Sequence, residues 1–418
     1  MKTKLFLLLI SAFIFRLILL YFFYSDDYLC DELEYHLLAK NLVSGIGYSL
    51  DNISLTTYRN PGFPFFLSVV YKLFSSNILI VKIIQCLFNS FASVIVFLIA
   101  KIFFDEKIAL LSGYITSFHP VIGIYATQLY SESFYTIIFL VGIYFFIKAF
   151  IDVSTYKIYI ILAGIFCGLC LLTRTSTLFY FLPLTAGYFI IYKDKRILKM
   201  ALLFSTIILL LIPWTIRNYK ISGKIQPFGS GIGGIVFFIA TYLPWKGDNP
   251  GYDKEPLKTY MERFKNEELD SFLYKEGINN IKKWPLQYLI MSIKRIRPLW
   301  FTSHSAIFGI NLPNKTMLEK KLYHLIFIKI ILFVFNCLLI LSNVFYYFIN
   351  KDKIKEHILF LLLILGFSLH IFLAVTARYT VPYLPLSIIL FSSMVYRIKY
   401  YLPCSCPVTG NPSVMGNI

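Results

Sequence analysis

Apolar runs near the length of a bilayer crossing recur from one end of this chain to the other, and nothing else constrains the fold as strongly. A spanning helix needs about 20 mostly apolar residues, and the first run, Leu5 to Tyr24, meets that need. Further helices are expected near Ile78 to Phe104, Ile108 to Tyr125 and Phe134 to Phe150, with a fifth ending at Thr173. The remainder fall near Thr177 to Tyr192, Met200 to Ile212, Leu325 to Ile349, His357 to Val375 and Val381 to Tyr396. Inside lipid a backbone must satisfy its own hydrogen bonds, so such runs fold as helices. The expected class is an all-α polytopic membrane protein with about ten transmembrane helices. Composition agrees: 58% of the 418 residues are hydrophobic and 15% charged, against roughly half and a quarter in soluble domains. The first run lacks a small-residue cleavage site and reads as a retained helix.

The formal net charge of +18 does not point to nucleic acid, because the basic residues cluster at helix ends as the positive-inside rule requires. Lys2 and Lys4, Lys148 and Lys157, Lys193 to Lys199, Lys351 to Lys355, and Arg397 with Lys399 mark the cytoplasmic side. Both termini are then cytoplasmic, in a multi-pass protein of the cytoplasmic (plasma) membrane. Residues 1–400 read as one membrane-embedded domain with two long outer loops, 25–77 and 217–323, the latter long enough to be exempt from the charge rule. Residues 401–418 read as a disordered cytoplasmic tail. Phe63 to Phe74 is too short to cross and is expected to lie on the outer surface. Asn279 to Phe301, with Lys282, Lys283, Lys294, Arg295 and Arg297, is expected as an amphipathic helix against headgroups. The seven cysteines show no metal-ligand spacing.

This topology gathers scattered residues at one membrane surface: Asp31, Glu32, Arg59, Glu132, Arg174, Arg217 and Arg378. An acid can take a proton from an attacking hydroxyl. A guanidinium can hold a phosphate that leaves. Acids and arginines at one interface can therefore bind a lipid phosphate and activate an acceptor, while apolar helices hold the lipid tail. Each residue also has a structural alternative. Arg174 can snorkel from its helix end, Arg217 can tie Trp214 to its loop, and Glu132 with Ser131 can cap a helix. Arg16 is the one charge read within a span, and such a residue is a functional candidate or a partner for a neighbouring helix.

The pieces Asp31-Glu32 with Tyr35 and Ala39, Tyr58-Arg59-Asn60-Pro61-Gly62-Phe63-Pro64, Ser131-Glu132, Leu172-Thr173-Arg174, Pro213 to Tyr219, and Arg378-Tyr379 with Pro382 and Pro385 occur in that order. In these the chain resembles the polyprenyl-phosphate-dependent membrane glycosyltransferases of the C-type fold, the protein O-mannosyltransferase and aminoarabinose-transferase-like group (glycosyltransferase family 39-like). The resemblance covers Leu5 to about Tyr396. It implies transfer of a sugar, mannosyl-like or another hexosyl or pentosyl group, from a polyprenyl-phosphate donor to a hydroxyl of a glycan, lipid or protein at the outer face. It implies Asp31 as the base or acceptor-orienting group, with Glu32 beside it and Glu132 as a further acid. It places Tyr35, Tyr58, Arg59, Arg174, Arg217, Arg378 and Tyr379 around the sugar or phosphate. Relatives often carry Lys next to the first Pro of the turn; here that neighbour is Asn60. Whether a divalent metal bridges Asp31 and Glu132 the sequence leaves open. Two other classes share the apolar bulk: a lipid-linked sugar flippase or transporter, and a polysaccharide ligase or polymerase. The first would need polarity along a path through the membrane, and the acidic pair after the first helix speaks against the second.

Overall fold

The computed structural model describes residues 1–28, 31–152, 154–229, 232–245, 253–264, 266–350 and 354–401. Among these residues the regular structure is helical, with one isolated β-bridge between Ser49 and Leu55. The tail expected over 401–418 lies, beyond Tyr401, outside the described residues.

Among the described residues, seven helices are long and apolar enough to cross a membrane. They are α1 (Lys2–Phe23), α4 (Ile78–Phe103), α7 (Ser131–Ile151), α8 (Tyr156–Thr173), α10 (Arg196–Ser222), α17 (Tyr323–Ile349) and α19 (Leu384–Tyr401), the last entered through a 3-10 turn from Ala377. A bent pair, α5 (Glu106–Ser117) and the helical stretch Pro120–Thr127 that α6 (Pro120–Ile124) opens, meets at 51° and makes an eighth candidate, as a broken span or a re-entrant loop. The expected sixth and ninth spans are shorter apolar helices, α9 (Thr177–Ile191) and α18 (Ile354–Ser368). The ten expected segments are thus all helical, but the two shorter ones fall below the length a crossing needs and another is not continuous.

The break has a physical cause and a partner. Pro120 cannot donate a backbone hydrogen bond, and the carbonyls that end α5 are orphaned. Arg16, wholly buried in α1, donates to Ser117 O at 3.1 Å, to Ala12 O at 3.0 Å and to Asn89 Oδ1 at 2.7 Å. The side chain read as a mid-span charge therefore stitches α1 to α4 and to the open end of α5.

Small residues let two helices near the site pack closely. A Cβ on Gly164 would lie 3.0 Å from Leu203 O, and one on Gly168 would lie 2.6 Å from the Leu210 side chain. This small-x-x-x-small spacing lets α8 and α10 approach closely. At the same end of the bundle sit α2 (Asp31–Val43) and α3 (Gly62–Leu73), packed on each other. Phe65, Val69 and Leu73 leave an apolar stripe of α3 exposed, as a helix lying on a membrane surface requires.

The long interval after α10 carries α11 (Gly233–Thr241), α12 (Leu257–Arg263), α13 (Asn266–Lys283), α14 (Pro285–Lys294), α15 (Ile296–Trp300) and α16 (Asn314–Glu319). The single amphipathic helix expected over Asn279 to Phe301 is instead three pieces, interrupted before Pro285 and at Arg295. Arg295 does not face headgroups. It is buried, donating to Ile371 O at 3.1 Å and to Ala240 O.

Candidate active site

The site begins with the first turn of α2. Asp31, Glu32 and Glu34 all stand there, where the positive end of the helix dipole favours carboxylates. Residues three and four apart share a helix face and adjacent residues do not. Asp31, Glu34 and Tyr35 therefore look one way and Glu32 another. Glu32 is 1% exposed, and its Oε1 accepts from Leu129 N at 2.6 Å. It fastens α2 to the segment that leads into α7.

Arg59 approaches the Asp31 face from the turn before α3. Its Nη2 lies 2.7 Å from Asp31 Oδ1 and also pairs with Glu34 Oε2. The Tyr35 and Tyr58 rings flank the guanidinium at 5.3 and 5.5 Å, a favourable cation–π placement. The backbone beneath is fixed as well. Tyr48 Oη donates to the carbonyls of Arg59 and Asn60, both at 3.0 Å. Asn60 Oδ1 accepts from Gly229 N at 2.6 Å, and its amide reaches Thr173 O at 3.4 Å. Gly62 completes the seat: a Cβ there would stand 3.0 Å from Leu172 O and Thr173 N. The Asn60-Pro61-Gly62 turn thus sits directly on the end of α8, which carries Arg174.

Glu132 lies in the first turn of α7, with its side chain 2% exposed. Its Oε1 is 2.7 Å from Arg174 Nη1 and 3.3 Å from Arg378 Nε. Arg378 Nη1 is in turn 2.9 Å from Asp31 Oδ2. The result is a ladder running Glu34, Arg59, Asp31, Arg378, Glu132, Arg174, in which three carboxylates alternate with three guanidiniums and the formal charge sums to zero. Tyr379 packs 5.3 Å from Arg174, and Tyr130 5.6 Å from Arg378. Removing such charges from water is costly and is tolerated only where each finds a partner. Burial would raise the Asp31 pKa, but Arg59 and Arg378 together hold it below the ordinary carboxylate value. Burial would lower Arg59, and Tyr35, Asp31 and Glu34 more than reverse that.

Arg217 stands apart from the ladder. It donates to Thr56 O at 2.6 Å and to Tyr48 O at 3.3 Å, with Trp214 against its guanidinium at 4.7 Å. It braces the loop whose Tyr48 holds the Arg59 backbone. Beneath Arg174, Thr177 Oγ1 donates to the Arg174 carbonyl at 2.6 Å. Thr177 also lines a small apolar cavity, walled by Phe139, Phe146, Cys167, Tyr180 and Leu184 among others. Glu34 is the ladder member that sequence reasoning missed. Once Asp31 opens a helix, the i,i+3 rule brings Glu34 to its side; reading the acids as loop residues hid that relation.

Between Asp31 and Glu132, where the sequence leaves a divalent cation open, the structure places a guanidinium. Arg378 already bridges the two carboxylates, and Arg59 and Arg174 neutralise their other sides. Among the described residues no three His, Cys, Asp or Glu side chains converge elsewhere.

Residues 58–216 match the family model of dolichyl-phosphate-mannose-protein mannosyltransferases. That stretch holds Arg59, Glu132 and Arg174, while the fold brings Asp31, Glu34 and Arg378 to them from outside it. No curated protein matches the chain by sequence. Among solved structures, the chain is similar to the oligosaccharyltransferase AglB from Archaeoglobus fulgidus in complex with an inhibitory peptide and a dolichol-phosphate. The TM-score is 0.57 at 12% identity, over 99% of this chain and 53% of that one. The Archaeoglobus fulgidus enzyme in complex with Zn and sulfate superposes with a TM-score of 0.56 at 13% identity, over 94% and 50%. ArnT from Cupriavidus metallidurans, bound to undecaprenyl phosphate, gives 0.46 at 13% identity, over 92% and 77%, too loose a superposition to argue from. The chain spans about half the length of the oligosaccharyltransferase structures it matches. The fold is the C-type fold of polytopic membrane glycosyltransferases.

Proposed function

We propose that this protein transfers a sugar from a polyprenyl-phosphate donor to an acceptor hydroxyl of a glycan, lipid or protein, at the outer face of the cytoplasmic membrane. The observation that carries the reading is the ladder itself: three guanidiniums interleaved with three carboxylates at one end of a helical bundle, above an apolar cavity. Guanidinium forks match phosphate oxygens in geometry and charge. The family match and the fold both lie with enzymes of this chemistry.

In this reading Asp31 accepts the acceptor's hydroxyl proton as its oxygen bonds the anomeric carbon. The bond from that carbon to the phosphate oxygen breaks, and its electron pair stays with the phosphate. Arg59 and Arg378 hold the phosphate as its charge grows. Losing one such contact costs about 10²–10³ in rate. Arg174, Tyr35, Tyr58 and Tyr379 wall the donor site. Glu132 holds Arg174 and Arg378 in place, Glu32 supports Asp31, and Arg217 supports the Arg59 loop. The interval 25–77 supplies the acid and Arg59, and the interval that begins at Arg217 meets the Arg59 turn through Gly229, within a single membrane-embedded domain. The lysine-rich opposite end, where Lys4 pairs with Glu106 at 2.6 Å, faces the cytoplasm with both termini.

The test is incubation of the reconstituted protein with a panel of polyprenyl-phosphate sugars, scoring release of free polyprenyl phosphate. Release from at least one member is expected. Failure to bind or turn over any of them would remove this reading.

A further inference from the structure

We propose that Arg378 changes partners during the reaction: it caps Asp31 in the resting protein and moves onto the lipid phosphate, freeing Asp31 Oδ2 to accept the proton. The proposal rests on the lipid-phosphate reading above and assigns how that site is switched on.

Two observations favour such an exchange. The first is occupancy. Asp31 Oδ1 is paired with Arg59 at 2.7 Å and Oδ2 with Arg378 at 2.9 Å, so each oxygen keeps a second lone pair but one made less basic by the cation beside it. Held below its ordinary pKa by those partners, the resting carboxylate is a weak base. The second is charge. The ladder is formally neutral, so it has no spare positive charge for an arriving anion. A guanidinium taken from a carboxylate supplies that charge.

The geometry points to Arg378 as the one that moves. Arg59 is clamped by Asp31, Glu34 and two tyrosine rings, and its backbone by Tyr48; its side chain is 12% exposed. Arg174 faces the nearly inaccessible Glu132 and is 17% exposed. Arg378 is 30% exposed, and it reaches Asp31 and Glu132 through one nitrogen each.

The exchange also follows the electrons. The donor is a phosphodiester with one negative charge. When the carbon–oxygen bond breaks, its electron pair makes the leaving group a monoester with two. The pull on Arg378 grows along the reaction coordinate, an interaction strongest where it speeds the chemistry. As Arg378 leaves, Asp31 Oδ2 takes the acceptor proton, and the neutral acid no longer competes for the guanidinium.

A binding cycle tests this, because coupling between a ligand and an ion pair is reciprocal. Polyprenyl monophosphate, which cannot turn over, is titrated into purified wild type, Asp31→Asn, Arg378→Gln and the double variant. Asp31→Asn should tighten binding about tenfold, as expected of directly coupled neighbours. In the Arg378→Gln background the same change should alter binding less than about twofold. An equal gain in both backgrounds would mean that the carboxylate merely repels the phosphate, and would overturn the exchange, as would no gain in either. Should the double variant not fold, Asp31→Asn/Glu132→Gln replaces it: freeing Arg378 from both carboxylates should bind tighter than Asp31→Asn alone, and no added gain overturns the proposal. No binding to wild type would instead remove the phosphate reading itself.

Discussion

Asp31 is a carboxylate whose neighbours favour its ionised form, and that has a consequence for stability as well as chemistry. A carboxylate with a depressed folded pKa stabilises the fold above its unfolded value, about 4. That contribution is lost as pH falls through the lower folded value. The difference in melting temperature between wild type and Asp31→Asn in detergent should therefore be full at neutral pH and shrink as pH falls below the ordinary carboxylate range and Asp31 takes up its proton. A difference that stays constant with pH would place the stabilisation outside the ion pairs. Glu32 invites a separate expectation. Glu32→Gln keeps an acceptor for Leu129 N and should cost little. Glu32→Ala leaves that buried donor without it and should destabilise by about 1–3 kcal/mol. Equal stability of the two would show that the Glu32–Leu129 bond holds nothing.

At the scale of elements, the Asn60-Pro61-Gly62 turn couples α3 to α8 and so fixes the distance between Arg59 and Arg174. Gly62→Ala would press a methyl group against the Leu172 carbonyl and the Thr173 amide, which are backbone and cannot swing aside. Overpacking of this kind costs about 1–3 kcal/mol, and the displaced Arg59 should cost donor use too. A Gly62→Ala protein with unaltered stability and donor KM would show that the two elements are not coupled there. Much of this scale was legible in the sequence. The helices, the surface helix after Pro61 and the end of α8 at Thr173 follow from apolar period and from Pro and Gly. What was not legible depends on which way a side chain turns. Glu34 was passed over because α2 was not seen to begin at Asp31. Arg295 looks like a headgroup contact in sequence, yet two carbonyls from distant segments bury it. The bend between α5 and α6 needs the Arg16 partnership, whose members are up to 101 residues apart.

For the whole molecule, the fold follows from hydropathy, whereas its orientation rests on charge asymmetry. Single cysteines introduced into a cysteine-free background should settle it. Probes at Asn52 and Thr175 should label from outside intact cells, and probes at Lys107 and Lys195 only after permeabilisation. The reverse pattern would turn the site toward the cytoplasm and rule out an outer-face reaction. The six ladder residues come from four separated parts of the chain: the start of α2 with the following turn, the start of α7, the end of α8, and the entry to α19. Spans determine that these ends share one surface, so the candidate site was largely legible once the spans were counted. The pairing order within the ladder was not, because it is decided by distances that no local pattern encodes.

The central claim is that Asp31 performs the proton transfer while arginines hold the phosphate. The most direct measurement is single-turnover transfer from a polyprenyl-phosphate sugar at saturating donor, compared between wild type, Asp31→Asn, Glu32→Gln and Asp31→Asn/Glu32→Gln. Asn keeps the size of the side chain but cannot accept the proton. The rate in Asp31→Asn should fall by about two to four orders of magnitude, with donor binding retained and Glu32→Gln costing much less. Near-normal turnover in both single variants and in the double variant would contradict the account.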